Sequence, residues 1–311
     1  MWHSTDRQCG ACAGRHARIR LFLTCALLLV LLSGCVVRVV YNQLDWLTLW
    51  YVDDYFELDA PQEAKARELI ADTLAWHRST QLPHYISLSR AAHDRVGAPV
   101  SPAFVAGLYE EVVALWDQLL RRAVADGSGI LQSLSDRQVE ELFERLAEDN
   151  LEFEDEYSGV SAAERRKKQD KAIIKMFRRF TGRLSSDQER LIRSRTAELH
   201  DLSAEWLRRR AAWQAEFRTL LMARKSDPQF AARLGNLMLD PNQFDSPHYR
   251  DLVADNQRRV FSLVAEVLSS LSPAQTDEMR KRLDSYVQDF DALVREGVGA
   301  QRTGLSLEAG S

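Results

Sequence analysis

No cysteine follows residue 35; the four in the chain are Cys9, Cys12, Cys25 and Cys35. The long remainder therefore forms no disulfide and must be held by apolar burial alone. No apolar run is long enough to cross about 30 Å of hydrocarbon as a helix: the longest, Leu21 to Leu32, has twelve residues. No stretch alternates as a half-buried strand would. No Gly-x-Ser-x-Gly, phosphate loop or dinucleotide fingerprint occurs. Of the later histidines, His77, His84, His93, His200 and His248, none sits four residues from another and none completes a Glu-x-x-His pattern. A zinc site or a helical di-metal site is thus not encoded. Nor is there an excess of positive charge: the formal net charge is −4, which argues against general nucleic-acid binding.

What is present begins with a leader. Arg15, His16, Arg18 and Arg20 form a basic region, Leu21 to Leu32 an apolar one, and Leu32-Ser33-Gly34-Cys35 follows. This arrangement resembles a bacterial lipoprotein signal peptide with its lipobox. The resemblance implies cleavage after Gly34 and acylation of Cys35 (thioether diacylglycerol and an amide-linked palmitate-like chain), the one covalent group expected. An ordinary signal peptide cleaved nearby is the alternative. Several acyl chains hold a protein firmly where one binds only marginally. Val36, rather than aspartate, follows the cysteine and implies sorting to the outer membrane, periplasmic side; the inner membrane is the alternative. Cys9-Gly-Ala-Cys12 would leave with the leader, removing a redox or metal reading. Arg7, Arg15, Arg18 and Arg20 would leave with Asp6, taking the mature chain close to −7.

From residue 41 apolar residues recur at helical spacing. Phe104, Leu108, Leu115 and Leu119 mark one helix; Val139, Leu142, Phe143 and Leu146 another; Ile173, Phe177, Phe180 and Leu184 a third. One stripe, Ile192 to Leu220, predicts a single helix from Asp187 to Met222, roughly 54 Å long at 1.5 Å per residue. Val253 to Leu271 and Met279 to Leu293 carry the last two. Pro83 should kink the segment Gln62 to Arg95. Gly97-Ala-Pro99 and Asp126-Gly-Ser-Gly129 read as loops, and Asp227-Pro228, Asp240-Pro241 and Ser246-Pro247 bracket a short helix and its loop. The expected fold is all-α, a compact or elongated bundle of about eight or nine helices: leader 1–34, lipidated cysteine and short tether 35–40, helical domain 41–296, disordered tail 297–311.

A small pattern recurs four times: Leu, then Ser or Asp, two residues, then Gln. The copies are Leu58-Asp59-Ala-Pro-Gln62, Leu134-Ser135-Asp-Arg-Gln138, Leu184-Ser185-Ser-Asp-Gln188 and Leu271-Ser272-Pro-Ala-Gln275. Each reads as a capping box, in which Ser or Asp accepts from the third helical N–H and Gln reaches back. The spacing is irregular, so no solenoid follows. The pattern also looks like the Leu-Thr-x-x-Gln motif of the Spy and CpxP type of periplasmic chaperones, with Ser or Asp in place of Thr. That resemblance implies a helical cradle for unfolded clients; helix capping explains the same residues without one.

Tyr41-Asn-Gln-Leu-Asp-Trp-Leu-Thr-Leu-Trp-Tyr-Val-Asp-Asp-Tyr55-Phe56 is apolar nearly all round. Such a helix is buried or, given its Trp and Tyr, lies in a membrane interface; burial is the expectation. With the lipobox before it and Trp76-His-Arg after it, the stretch resembles an uncharacterised family of Gram-negative helical lipoproteins, DUF6279-like. The resemblance implies location and fold and brings no activity.

Charge splits in mid-chain. Glu140 to Glu156 holds nine acids and one base, and Glu164 to Arg183 nine bases and two acids. Either two neighbouring helices attract each other, or Arg165, Arg166, Lys167, Lys168, Lys171 and Lys175 form a face for anionic lipid or an acidic partner. With no catalytic constellation, no metal site and no cofactor, the expectation is a non-enzymatic, lipid-anchored binding or assembly module of the envelope. Its partners would be membrane lipid, through Cys35, and an envelope protein not identified by sequence. A chaperone-like holder of unfolded envelope proteins is the second reading, and an enzyme the third. A large exposed apolar groove would favour the holder, and a closed bundle with charged faces the structural module.

Overall fold

The computed structural model describes residues 36–240 and 242–308. The leader and the lipobox, Leu32, Ser33, Gly34 and Cys35, lie outside the described residues. Every described element is helical. In chain order they are α1 (Val36–Tyr41), α2 (Leu44–Phe56), α3 (Ala60–Trp76), a π-helical turn (His77–Gln81), α4 (Leu82–Arg95), α5 (Pro102–Ser133) and α6 (Asp136–Ser158). Then come α7 (Ala162–Thr181), α8 (Ser186–Thr196), α9 (Ser203–Ala223), α10 (Phe230–Leu239), α11 (Pro247–Ser269) and α12 (Pro273–Glu308). The all-α expectation holds, with more helices than eight or nine.

The extra elements come from three places. Residues 36–40 are no tether: α1 is a helix packed on α12, tied by Arg38 to Glu296 at 3.3 Å. The predicted single helix over 187–222 breaks at 197–202, where Asn256 accepts from the His200 N–H and donates to the His200 carbonyl. Asp201 then accepts from the Ser203 N–H, restarting the chain as α9. Those side chains offer the backbone a local alternative to the helix ladder, and the apolar stripe carries no record of it. Pro83 does mark an irregularity: the helix widens to a π turn, with the Leu82 N–H donating to the His77 carbonyl five residues back.

Two expectations about glycine are corrected. Asp126-Gly-Ser-Gly129 is not a loop but lies inside α5. Val124 and Leu131, on either side of this stretch in the sequence, pack the helix against the largest core cluster, and tertiary packing overrides weak helix propensity. A methyl group added at Gly127 or Gly129 would meet nothing within 4 Å. Gly127→Ala and Gly129→Ala should therefore each stabilise the domain by about 1 kcal/mol, read as an upward shift in melting temperature. A drop would mean that these glycines serve a bend. The last helix also continues past Gly297, where a tail was expected to begin. Gly297 is still packed there, with the Arg78 side chain 3.5 Å from where its Cβ would be. Gly97 does end a helix as expected: its φ of 88° suits glycine, and Thr276 and Arg280 close over it.

Apolar burial falls into three clusters. The largest joins the start of α6 to α9 and α10 through Leu134, Leu142, Phe217, Leu220 and Phe230. A second joins α7, α8 and α11 through Phe177, Ile192 and Val267. The third, Tyr41, Leu82 and Leu293, ties the first helix to α4 and the last.

Candidate functional site

The four Leu-Ser/Asp-x-x-Gln stretches are capping boxes, and they do more than cap. Asp59, Ser135, Ser185 and Ser272 each accept from the backbone N–H of the glutamine three residues on, whose Oε1 accepts from the cap's own N–H. The glutamines then meet in pairs. Gln138 donates to Gln62 at 2.7 Å and Gln62 back at 3.4 Å; Gln275 donates to Gln188 at 2.8 Å and Gln188 back at 3.0 Å. The remaining contacts repeat as well. Gln62 and Gln188 each reach the serine before the partner motif's leucine, Ser133 and Ser270. Gln138 and Gln275 reach the carbonyl before the other motif's leucine, Glu57 and Arg183. Two copies of one device thus lock α3 to α6 and α8 to α12. All four glutamines are buried, and a buried amide needs such partners.

The first lock fixes the walls of an open groove of about 550 Å³. One wall is α2, through Leu44, Thr48, Val52 and Phe56; a second is α3, through Ala66, Leu69, Ile70 and Leu74; the third is α5, from Trp116 to Leu131. Leu234 and Met238 of α10 close one end. Among the described residues, only Thr48, Thr73, His77 and Asp126 bring polar side chains to a lining that is otherwise apolar. Its size and lining are those of pockets that take apolar ligands. Trp116 stands at the edge, more than half exposed.

At the other side of the groove the π turn carries His77. Its Nδ1 is 2.8 Å from the Tyr41 hydroxyl, and its ring lies 5.7 and 5.8 Å from the rings of Tyr41 and Tyr85. Burial holds the imidazole below its ordinary pKa, so it is neutral near pH 7. Burial likewise pushes the Tyr41 phenol up to about 12, against the pull of Arg78. Among the described residues no group of three or more His, Cys, Asp or Glu is placed to hold a metal ion.

The basic run is on α7. Arg165 is half-buried, donating to the Val160 carbonyl and pairing with Asp201 at 3.1 Å. Arg166, Lys167, Lys168, Lys171 and Lys175 are exposed. Arg178 at the end of α7 pairs with Glu189 of α8. The acidic run also has partners on other elements: Asp149 accepts from Tyr55, and Arg145, its one base, holds Asp54 of α2. These pairs tie each run to a different neighbour. Arg165, Arg166 and Lys168 border a second hollow of about 660 Å³, with Phe153, Leu199 and Trp206 on its apolar side.

The expectation that the aromatic stretch 41–56 is wholly buried is corrected. Tyr41 and Leu49 are buried, while Trp46, Trp50 and Tyr51 are exposed. The helix carries apolar residues on every side, and it is Leu49 that faces the core. The groove itself was not legible: its lining residues were visible one helix at a time, but which three helices would face one another was not. The signal that could have found it was the glutamine of each motif, whose capping role uses only the amide oxygen and leaves an NH2 group that needs acceptors on another chain segment.

No helix of the described residues is long and apolar enough to cross a membrane. No curated protein and no solved structure matches the chain. Residues 54–250 match the model of a family of unknown function (DUF6279). That span is more than half of the chain and takes in the end of α2, the first lock and the α3, α5 and α10 sides of the groove, so the chain belongs to the DUF6279 family.

Proposed function

We propose that the protein is a non-enzymatic, lipid-anchored module of the bacterial envelope that holds apolar segments of other envelope proteins. The observation that carries this reading is the groove: three helices leave an open, almost wholly apolar channel where a closed bundle would have interdigitated side chains. The lipobox, Leu32-Ser33-Gly34-Cys35, supports anchoring by acyl chains, on the periplasmic side of the outer membrane. The four capping motifs, similar in form to those of Spy and CpxP-type chaperones, agree with the holding role.

The test fills the groove. Ala123 is exposed on the α5 wall, so Ala123→Trp adds a bulky ring to the channel without entering the core. The mature lipoprotein in nanodiscs should delay aggregation of a denatured client at equimolar ratio. Ala123→Trp should lose at least most of that delay at an unchanged melting temperature, and a Lys167→Glu, Lys168→Glu, Lys171→Glu variant should keep it. Equal delay by wild type and Ala123→Trp, or none by either, overturns the reading. The anchor is tested separately: Cys35→Ala should leave uncleaved precursor or a soluble protein, and unchanged outer-membrane fractionation would refute it.

A further inference from the structure

We propose that the outer face of α1 and α2, carrying Val39, Trp46 and Trp50, rests in the headgroup layer of the membrane and fixes the orientation of the whole domain. The inference rests on the lipid-anchor reading above. These three large apolar side chains are 61%, 50% and 39% exposed within twelve residues, while Tyr51 turns toward Tyr55, their rings 5.0 Å apart. On α2, at 100° per residue, Trp46 and Trp50 point away from the groove wall of Leu44, Thr48 and Val52. They are therefore a second apolar surface, separate from the groove.

The chain itself says what covers this surface. Among the described residues the first helix begins at Val36, directly after Cys35 in the sequence. At 1.5 Å per residue Trp46 lies within about 15 Å of it. An acylated Cys35 sits at the bilayer surface, so the face cannot be far from it. Trp and Tyr are the side chains that favour that layer, with an apolar body and a polar edge.

Nor is α1 a loose leash. Tyr41 is buried against Leu82 and Leu293, and Glu296 of α12 meets both Arg38 and Asn42. Whatever α1 and α2 touch, the body is held against. Asp45 and Asp53 flank the aromatic residues and are exposed, and Arg38 is engaged by Glu296. The contact is thus interfacial partition on zwitterionic lipid and not attraction of basic residues to anionic lipid, and salt should not weaken it.

The experiment uses the mature lipoprotein in phosphatidylcholine vesicles carrying lipid brominated near the headgroup end of its chains. A Trp116→Phe background removes the one other strongly exposed tryptophan, leaving five in the mature chain. Bromolipid should quench the share of emission owed to two tryptophans of the five, equally at low and high salt. Adding Trp46→Phe and Trp50→Phe should abolish the quenching with an unchanged melting temperature. Vesicle flotation with no quenching, or quenching that survives the double replacement, overturns the docking and leaves the anchor standing. Failure to float overturns the anchor and the docking together.

Discussion

Gln138→Glu is expected to destabilise the domain by roughly 4 kcal/mol at neutral pH, where an exposed capping box would accept the change without loss. Glutamate serves as well as glutamine at the third position of a capping box, and this chain shows it: Glu164 fills that position after Ser161 on the solvent-facing start of α7. At position 138 one oxygen of the new carboxylate would still accept from the Ser135 N–H. The other would replace an amide nitrogen that now donates to Phe56 O at 3.1 Å, Glu57 O at 2.9 Å and Gln62 Oε1 at 2.7 Å. It would face three acceptors, out of water and with no proton to share. The folded state would therefore raise the pKa of the introduced carboxyl above its unfolded value. A group raised in this way contributes stability that is present below the unfolded pKa, near 4.3, and lost as pH rises through the folded one. Gln138→Ala removes the same contacts without adding a charge and should cost about 3 kcal/mol at every pH. Urea midpoints of the two variants should thus converge or cross near pH 4 and diverge toward pH 7. A glutamate variant as stable as wild type at pH 7 would show that the glutamine pair is not a lock. Glu164→Gln, on the surface, should do almost nothing.

Arg224→Met should cost about 3 kcal/mol or more. Arg224 is buried, and its guanidinium donates to the Leu134 carbonyl at 3.0 and 2.6 Å and to the Leu221 carbonyl at 2.8 Å. Leu134 is the first residue of the second capping motif and is itself fully buried. Methionine would fill much of the volume but supply no side-chain donor, leaving the buried Leu134 carbonyl unsatisfied, while the Leu221 carbonyl keeps the backbone N–H of residue 224. Asp136, whose carboxyl Arg224 and Lys225 hold below the usual carboxylate range, is exposed and adds little by itself. Asp136→Asn should accordingly be mild while Arg224→Met is severe, as read by chemical denaturation. A mild Arg224→Met would move the strength of this junction to the apolar side chains around it.

The contrast between local and distant information runs through the molecule. Helix starts were legible because a cap is written in four consecutive residues: Ser135 and Gln138, Ser185 and Gln188. The break at His200 was not, because its cause is Asn256, far along the chain. The Gly127 and Gly129 stretch misled for the same reason, since the side chains that hold it helical come from other helices. The pairing of Gln62 with Gln138 was beyond a linear reading, although the identity of both residues was in plain view. Of the candidate site residues on α7, Arg165 is half-buried and paired with Asp201, and Arg166, Lys167, Lys168, Lys171 and Lys175 are exposed. The groove needed the third dimension, and Cys35 lies outside the described residues.

The two glutamine locks span 76 and 87 positions, from 62 to 138 and from 188 to 275. These stretches follow one another and do not overlap. The first ring can close while residues beyond 138 are still leaving the ribosome or the export channel, and the second needs nothing from the first. The contact of Asn42 with Glu296 spans 254 positions and must wait for the last helix. Because the entropy of closing a ring rises only with the logarithm of its length, that clasp costs just about 1 kcal/mol more than either lock. The order of emergence, and not the cost of closure, then sets the sequence of events. The end of the chain that would be tethered first is held early by Tyr41 on His77, and is clasped to the last helix only when the chain is complete.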